Sequence, residues 1–324
     1  MYKNFIIILF AAVAFISCNS NEKKDHGDAE IKFVRLDEQI MNIESEAKLQ
    51  ELFEQNDFYT RSLFRTTSDD TSFVNYTYNV VTHPETQKFY KEVLAGYGDF
   101  SALKNEFKAA FGEIKKTYPN FVPPTIYTTF TGLENDIYVS DSTVIISIEA
   151  FGGPKASYRP IQPEYLLKRY DRQYIVPTVI RLLSQTFVEQ SQSSTLLNDM
   201  IYFGKTFEFT REMMPNTSDS LIIGYADSTM KATWYSQDLV WAYFIDKQLL
   251  YEQKPAEKEK YLGERPFVTE IGPACPGRIG QWLGWRIIQK FRTENPDVSF
   301  QELMKLQDPE EVLRKSKYRG LVEE

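Results

Sequence analysis

Apolar and polar positions alternate in two rhythms along this chain, and each rhythm keeps to its own stretch. After a short alternating start at Ile31, Phe33, Val34 and Leu36, the spacing of Ile40, Ile43, Leu49, Leu52 and Phe53 predicts helix. A polar break follows at 66–71. Thr82, Pro84 and Glu85 then read as a helix start, with Thr82 as N-cap, proline just inside and His83 in the first turn. A further helix is expected over 101–118, its stripe carried by Leu103, Phe107, Phe111 and Ile114. The rhythm then shortens. Segments 125–131, 136–139 and 143–148 are β-branched and aromatic runs separated by turn residues, which predicts a small antiparallel sheet closed off by Gly152, Gly153 and Pro154. Beyond Pro163 the pattern is helical again, over about 163–170, 175–190, 195–209, 236–253, 278–292 and a short pair near 299–315. A sheet followed by a helical block, with no βαβ alternation, predicts an α+β fold. No fixed-period repeat and no Pro-rich linker divides it, so residues 31–324 are expected to form one domain.

The first residues belong to a different kind of text. Lys3 precedes 12 unbroken apolar residues, 5–16, too few to span a bilayer, which takes about 20, but suited to a signal peptide. The run ends in Ser17 and Cys18, which resembles a lipobox: residues 1–17 are expected to be removed and Cys18 to carry lipid. Residues 18–30 then form a polar tether. This makes the membrane an expected partner through the Cys18 anchor, with a location in the cell envelope. Asn19 after the cysteine tilts the expectation toward the outer membrane. The other cysteine, Cys275, is left as a lone thiol.

Composition removes several function classes. With 37 Lys+Arg against 45 Asp+Glu, the net charge is −8, the wrong sign for a nucleic-acid partner. Apolar residues at 42% are ample for a core, and 47 aromatic rings serve cores and interfaces alike. The two histidines, His26 and His83, leave little room for zinc or triad chemistry. No P-loop, dinucleotide loop, nucleophile elbow or EF-hand loop is present, and no cofactor is expected.

The densest motif is GRIGQWLGW at 277–285. Gly280 and Gly284 fall on one helix face, where two glycines cost up to about 1 kcal/mol each and so point to a contact that a Cβ would block. Trp282 and Trp285 fill a neighbouring face. Internal helix packing explains this, and so does a groove or partner surface drawn from Arg278, Gly280, Gln281, Trp282, Gly284, Trp285 and Tyr202, with Arg278 and Arg286 at the rim.

Taken with MIYFGK at 200–205, MPNTSD at 214–219, IGY at 223–225 and SKY at 316–318, this stretch resembles the gliding-motility lipoprotein GldB family of Bacteroidota over essentially the whole chain. That family is distantly similar to predicted zinc-dependent peptidases, which implies a zincin-like scaffold with an active helix carrying His-Glu-x-x-His. The comparable helix here is 175–190, and the equivalent positions are placed at Ser184, Gln185 and Val188, which offer neither zinc ligands nor a general base. Ser184 and Val188 would share a helix flank and form the wall of a cleft without its metal. The resemblance therefore implies a lipid-anchored, non-catalytic protein that binds envelope partners in gliding motility or type IX secretion. The alternatives are a residual metal-dependent hydrolase and an envelope glycan-binding module.

Overall fold

The computed structural model describes residues 29–321; Cys18, His26 and the expected signal segment and most of the tether lie outside them. The fold is α+β, with a small sheet and a helical block after it. The sheet has four strands, β1 (Phe33–Arg35), β2 (Thr125–Thr129), β3 (Ile137–Val139) and β4 (Thr143–Ser147), in the order β1-β2-β4-β3. It is mixed rather than antiparallel. β1 pairs with β2 and β2 with β4 in parallel, with Ile126 opposite Val144, and only the hairpin β3-β4 is antiparallel. The cause lies in β4: Val144, Ile145 and Ile146 are all fully buried, a continuous apolar run covered on both faces, as parallel strands are. The link 130–136 steps over one strand position, and β4 returns to fill it.

The crossover from β1 to β2 is helical and includes α1 (Leu36–Met41), α2 (Glu46–Gln55), α3 (Thr71–Thr82), α4 (Pro84–Tyr97) and α5 (Ser101–Thr117). Thr82 ends α3, its hydroxyl donating to Tyr78 O at 2.7 Å, and is not the cap of α4. Pro84 forces the residue before it out of the helical region, so His83, at φ −64° and ψ 133°, becomes the N-cap, and its Nδ1 accepts from Glu85 N at 3.3 Å.

After the sheet come α6 (Ile175–Leu183), α7 (Leu196–Met213), α8 (Asp219–Ile223), α9 (Asp227–Tyr235), α10 (Gln237–Asp246), α11 (Pro255–Leu262), α12 (Ile279–Glu294), α13 (Phe300–Lys305) and α14 (Pro309–Ser316). The helix expected over 175–190 stops at Leu183. Ser184 Oγ donates to Arg181 O at 2.6 Å and Thr186 Oγ1 to Leu183 O at 2.8 Å, local bonds that compete with helix continuation. The chain turns, and Phe187 joins Tyr118, Phe121 and Phe209 in an aromatic cluster. The buried apolar residues from Leu36 to Tyr318 form one connected core.

Candidate functional site

Helices α7 and α12 cross backbone to backbone. A Cβ on Gly284 would stand 1.7 Å from Met200 O, and one on Gly204 would stand 2.4 Å from the Gly284 carbonyl carbon, so neither position admits a side chain. The two tryptophans of α12 flank the crossing and are fully buried. Trp285 packs on Phe207 with ring centroids 5.4 Å apart and donates from Nε1 to Glu208 Oε2 at 2.9 Å. The other oxygen of this fully buried carboxylate receives Arg292 at 2.6 Å and Arg211 at 3.0 Å. Gly280 lets Tyr261 O approach to 3.2 Å from where its Cβ would be, and Gln281 Nε2 donates to Leu262 O at 2.6 Å. Gly280, Gln281, Trp282, Gly284 and Trp285 are thus interior. Of the two readings of this stretch, internal packing is the one the burial supports, because its polar side chains turn to inward contacts, with only Trp282 Nε1 and Arg278 Nε buried without a hydrogen-bond partner.

Helix α12 starts from Arg278, held at φ 60° and only 6% exposed. It draws three of the motifs together. Arg278 Nη2 donates to Ile223 O at 2.6 Å, its guanidinium lies 5.5 Å from the centre of the Tyr225 ring, and Tyr225 OH donates to Gly277 O at 2.6 Å. Gly224, at φ +73°, leaves room for Arg169, whose Nε donates to Gly224 O at 3.3 Å. Arg169 pairs with Glu264 through both terminal nitrogens, and Arg278 Nε stands 3.1 Å from the same carboxylate. Although burial opposes it, the Glu264 pKa falls below the usual value, held down by Arg169, Arg278 and Arg181. Burial, together with the like charge of Arg169, lowers the pKa of Arg278 to about 10.

Beside Glu264 opens a groove of about 550 Å³ between α7, the end of α11 and the 306–309 segment. Ile201, Phe203, Leu262 and Leu306 give it apolar walls, and Tyr202 faces it. Lys205, 2% exposed, sits in its lining and donates to the carbonyls of Met304 and Leu306 at the end of α13. Burial lowers its pKa to about 8, against the charge of Glu189, which raises it. The rim is acidic: Asp199, paired with Lys258 at 2.6 Å, Glu189, which accepts from Gln307 at 2.8 Å, and Glu259.

Of the residues singled out in the sequence, Tyr202 lines this groove, Arg278 lies behind Glu264, and Ser184, Gln185 and Val188 are outside the lining. Ser184 is buried, Gln185 is exposed, and Val188 is buried past the end of α6, so the three share no cleft wall. Lys205 was legible only as the last letter of a motif. Its burial against the carbonyls of Met304 and Leu306 depends on α13, distant in sequence. Among the described residues, no group of three or more His, Cys, Asp or Glu side chains could hold a metal ion. Burial pushes the Cys275 thiol up to about 12, so it is protonated at neutral pH.

A family model described as gliding motility protein GldB matches residues 17–320, a span that includes all five motifs. No curated protein and no solved structure matches the chain.

Proposed function

This chain belongs to the GldB family of gliding-motility proteins, and we propose that it is a lipid-anchored, non-catalytic envelope component that works by holding a segment of a partner protein in the groove beside α7. The groove carries this reading. It combines apolar walls, a polar rim and a buried cation at one place, the mixture that partner pockets use for anchoring and orientation. The backbone crossing at Gly204 and Gly284 supports it by fixing the wall that bears Tyr202 and Lys205 against α12.

The anchor rests on Cys18, which the family match includes. Among the described residues no helix is long and apolar enough to cross a membrane. The non-catalytic part rests on the sequence: the positions set against the peptidase motif hold Ser184, Gln185 and Val188, and the chain has no histidine after residue 83. The outer membrane is the favoured location on Asn19.

Affinity capture of the detergent-solubilised protein after crosslinking in cells tests the proposal. Recovery of a motility or secretion component, reduced at least several-fold in a Tyr202→Ala, Gln307→Arg double variant, is the expected result. Equal recovery with both proteins would remove the groove from the account.

A further inference from the structure

On the other side of the Arg169–Glu264 pair lies a second pocket, about 400 Å³, whose charge runs against that of the whole chain. Its lining contains Lys168, Arg169 and Arg265 and not one Asp or Glu, in a protein with net charge −8. The carboxylates that pair with the two arginines, Glu264 and Glu270, stand outside the lining. Each guanidinium therefore keeps N–H groups to give: Arg265 is engaged through Nη1 alone, to Lys260 O and Glu270 Oε1, both at 3.2 Å. The Lys168 ammonium has no ion pair or hydrogen bond among the described residues. Behind Gly277, also in the lining, the buried Arg278 has an Nε 3.1 Å from Glu264 but off the line of a hydrogen bond, so that N–H has no acceptor. The cations also crowd one another: burial lowers the Lys168 pKa, and the charges of Arg169 and Arg278 lower it further. Four basic side chains against two carboxylates, Glu264 and Glu270, leave an excess of positive charge that a bound anion would relieve.

The rest of the lining matches. Ser228 and Thr229, in the first turn of α9, bring two hydroxyls, and Ala226 at the N-cap leaves the first N–H groups of that helix without a side-chain acceptor; the acidic residue of that turn, Asp227, lies outside the lining and accepts from Ser220 Oγ. Phe267, half-exposed, stands with Pro266 and Pro276 as an apolar wall against which a ring can stack. The volume exceeds that of a bare oxyanion.

We propose that this pocket binds a phosphate ester borne on a ring or sugar, the phosphate seated between Lys168, Arg169 and the start of α9 and the remainder against Phe267. The proposal is independent of the groove, since the two sites share no lining residue. A soluble sugar phosphate and an anionic lipid headgroup carry the same chemistry.

Titration calorimetry on the full-length, detergent-solubilised protein tests this with three probes: inorganic phosphate, a hexose 6-phosphate, and vesicles with and without phosphatidylglycerol. Saturable binding of the hexose phosphate, tighter than inorganic phosphate and weakening as salt is raised, is expected. Lys168→Ala, at an exposed position, should weaken it about tenfold, or about 1.4 kcal/mol, and Lys168→Arg should restore most of it. Tighter binding to phosphatidylglycerol vesicles than to the soluble ester assigns the site to a lipid headgroup, and the reverse assigns it to a soluble ligand. No saturable binding of any probe, or binding unchanged in Lys168→Ala, overturns the proposal.

Discussion

Two helical glycines of this chain have opposite meanings. At Gly96, in α4, an added Cβ would meet nothing within 4 Å, whereas at Gly284 it would strike the Met200 carbonyl. Gly96→Ala is therefore expected to raise stability by up to about 1 kcal/mol. Gly284→Ala should lower it by about 3 kcal/mol or more, because backbone and not a flexible side chain must give way. Urea unfolding of the two variants beside wild type checks both signs. Another residue-scale test concerns pH. Glu149 is fully buried, with Oε1 accepting from Thr131 N, Thr131 Oγ1 and Leu133 N and Oε2 unpartnered. Burial raises its pKa from 4.5 to about 7, against the hydrogen bonds that lower it. The folded state then holds this proton more tightly than the unfolded chain does. The stability it lends is complete below about pH 4.5 and is lost as pH rises through about 7, on the order of 3 kcal/mol. Glu106, raised to about 7 by burial, acts in the same window. In Glu149→Gln the loss of stability between pH 5 and 8 should shrink to what Glu106 and lesser groups leave, and an unchanged pH profile would refute the assignment.

At the scale of elements, the interface of α7 with α12 is organised around Glu208, which ties Trp285, Arg292 and Arg211 together. Glu208→Ala strands the indole N–H and uncouples two guanidiniums, and should cost about 3 to 5 kcal/mol in denaturant unfolding; Glu208→Gln, which can keep one acceptor, should cost less. This interface was half legible in the sequence. The glycine spacing at 280 and 284 announced a close approach, but the partner, Gly204, sits in a helix whose own periodicity is weak because nearly every side is covered. The sheet shows the same limit. Its strands were readable from β-branched runs, yet their order was not, since the place of β4 between β2 and β3 is set by burial on both faces. The pattern also gave no signal for α8, α9 and α11: α8 is a single short turn after a run of turn residues, and α9 and α11 are polar enough to read as loop. The end of α6 was misread because the hydroxyls of Ser184 and Thr186 take carbonyls that apolar spacing alone would leave to the helix.

For the whole molecule, the motifs at 200–205, 223–225 and 277–285 meet at one place, between the groove and the cationic pocket, with the Arg169–Glu264–Arg278 cluster dividing them. Arg169→Ala removes the bidentate partner of Glu264 from this wall. It should weaken phosphate-ester binding and also partner capture, whereas Lys168→Ala, which touches only the pocket, should spare capture; parallel calorimetry and affinity capture on the two variants distinguish these outcomes. The candidate site was less legible than the fold, because Lys205, Glu264 and Lys168 are single charged residues among 82, and only the folded chain shows what stands beside each. The proposed role stands or falls with a partner segment in the groove. A photo-crosslinking amino acid placed in living cells at Gln307, exposed on the groove, and at Lys88, exposed on α4 outside it, tests for that segment most directly. An adduct with a motility or secretion component from position 307 and none from position 88 is expected; no adduct from 307, or the same adduct from both, would mean that no partner segment occupies the groove.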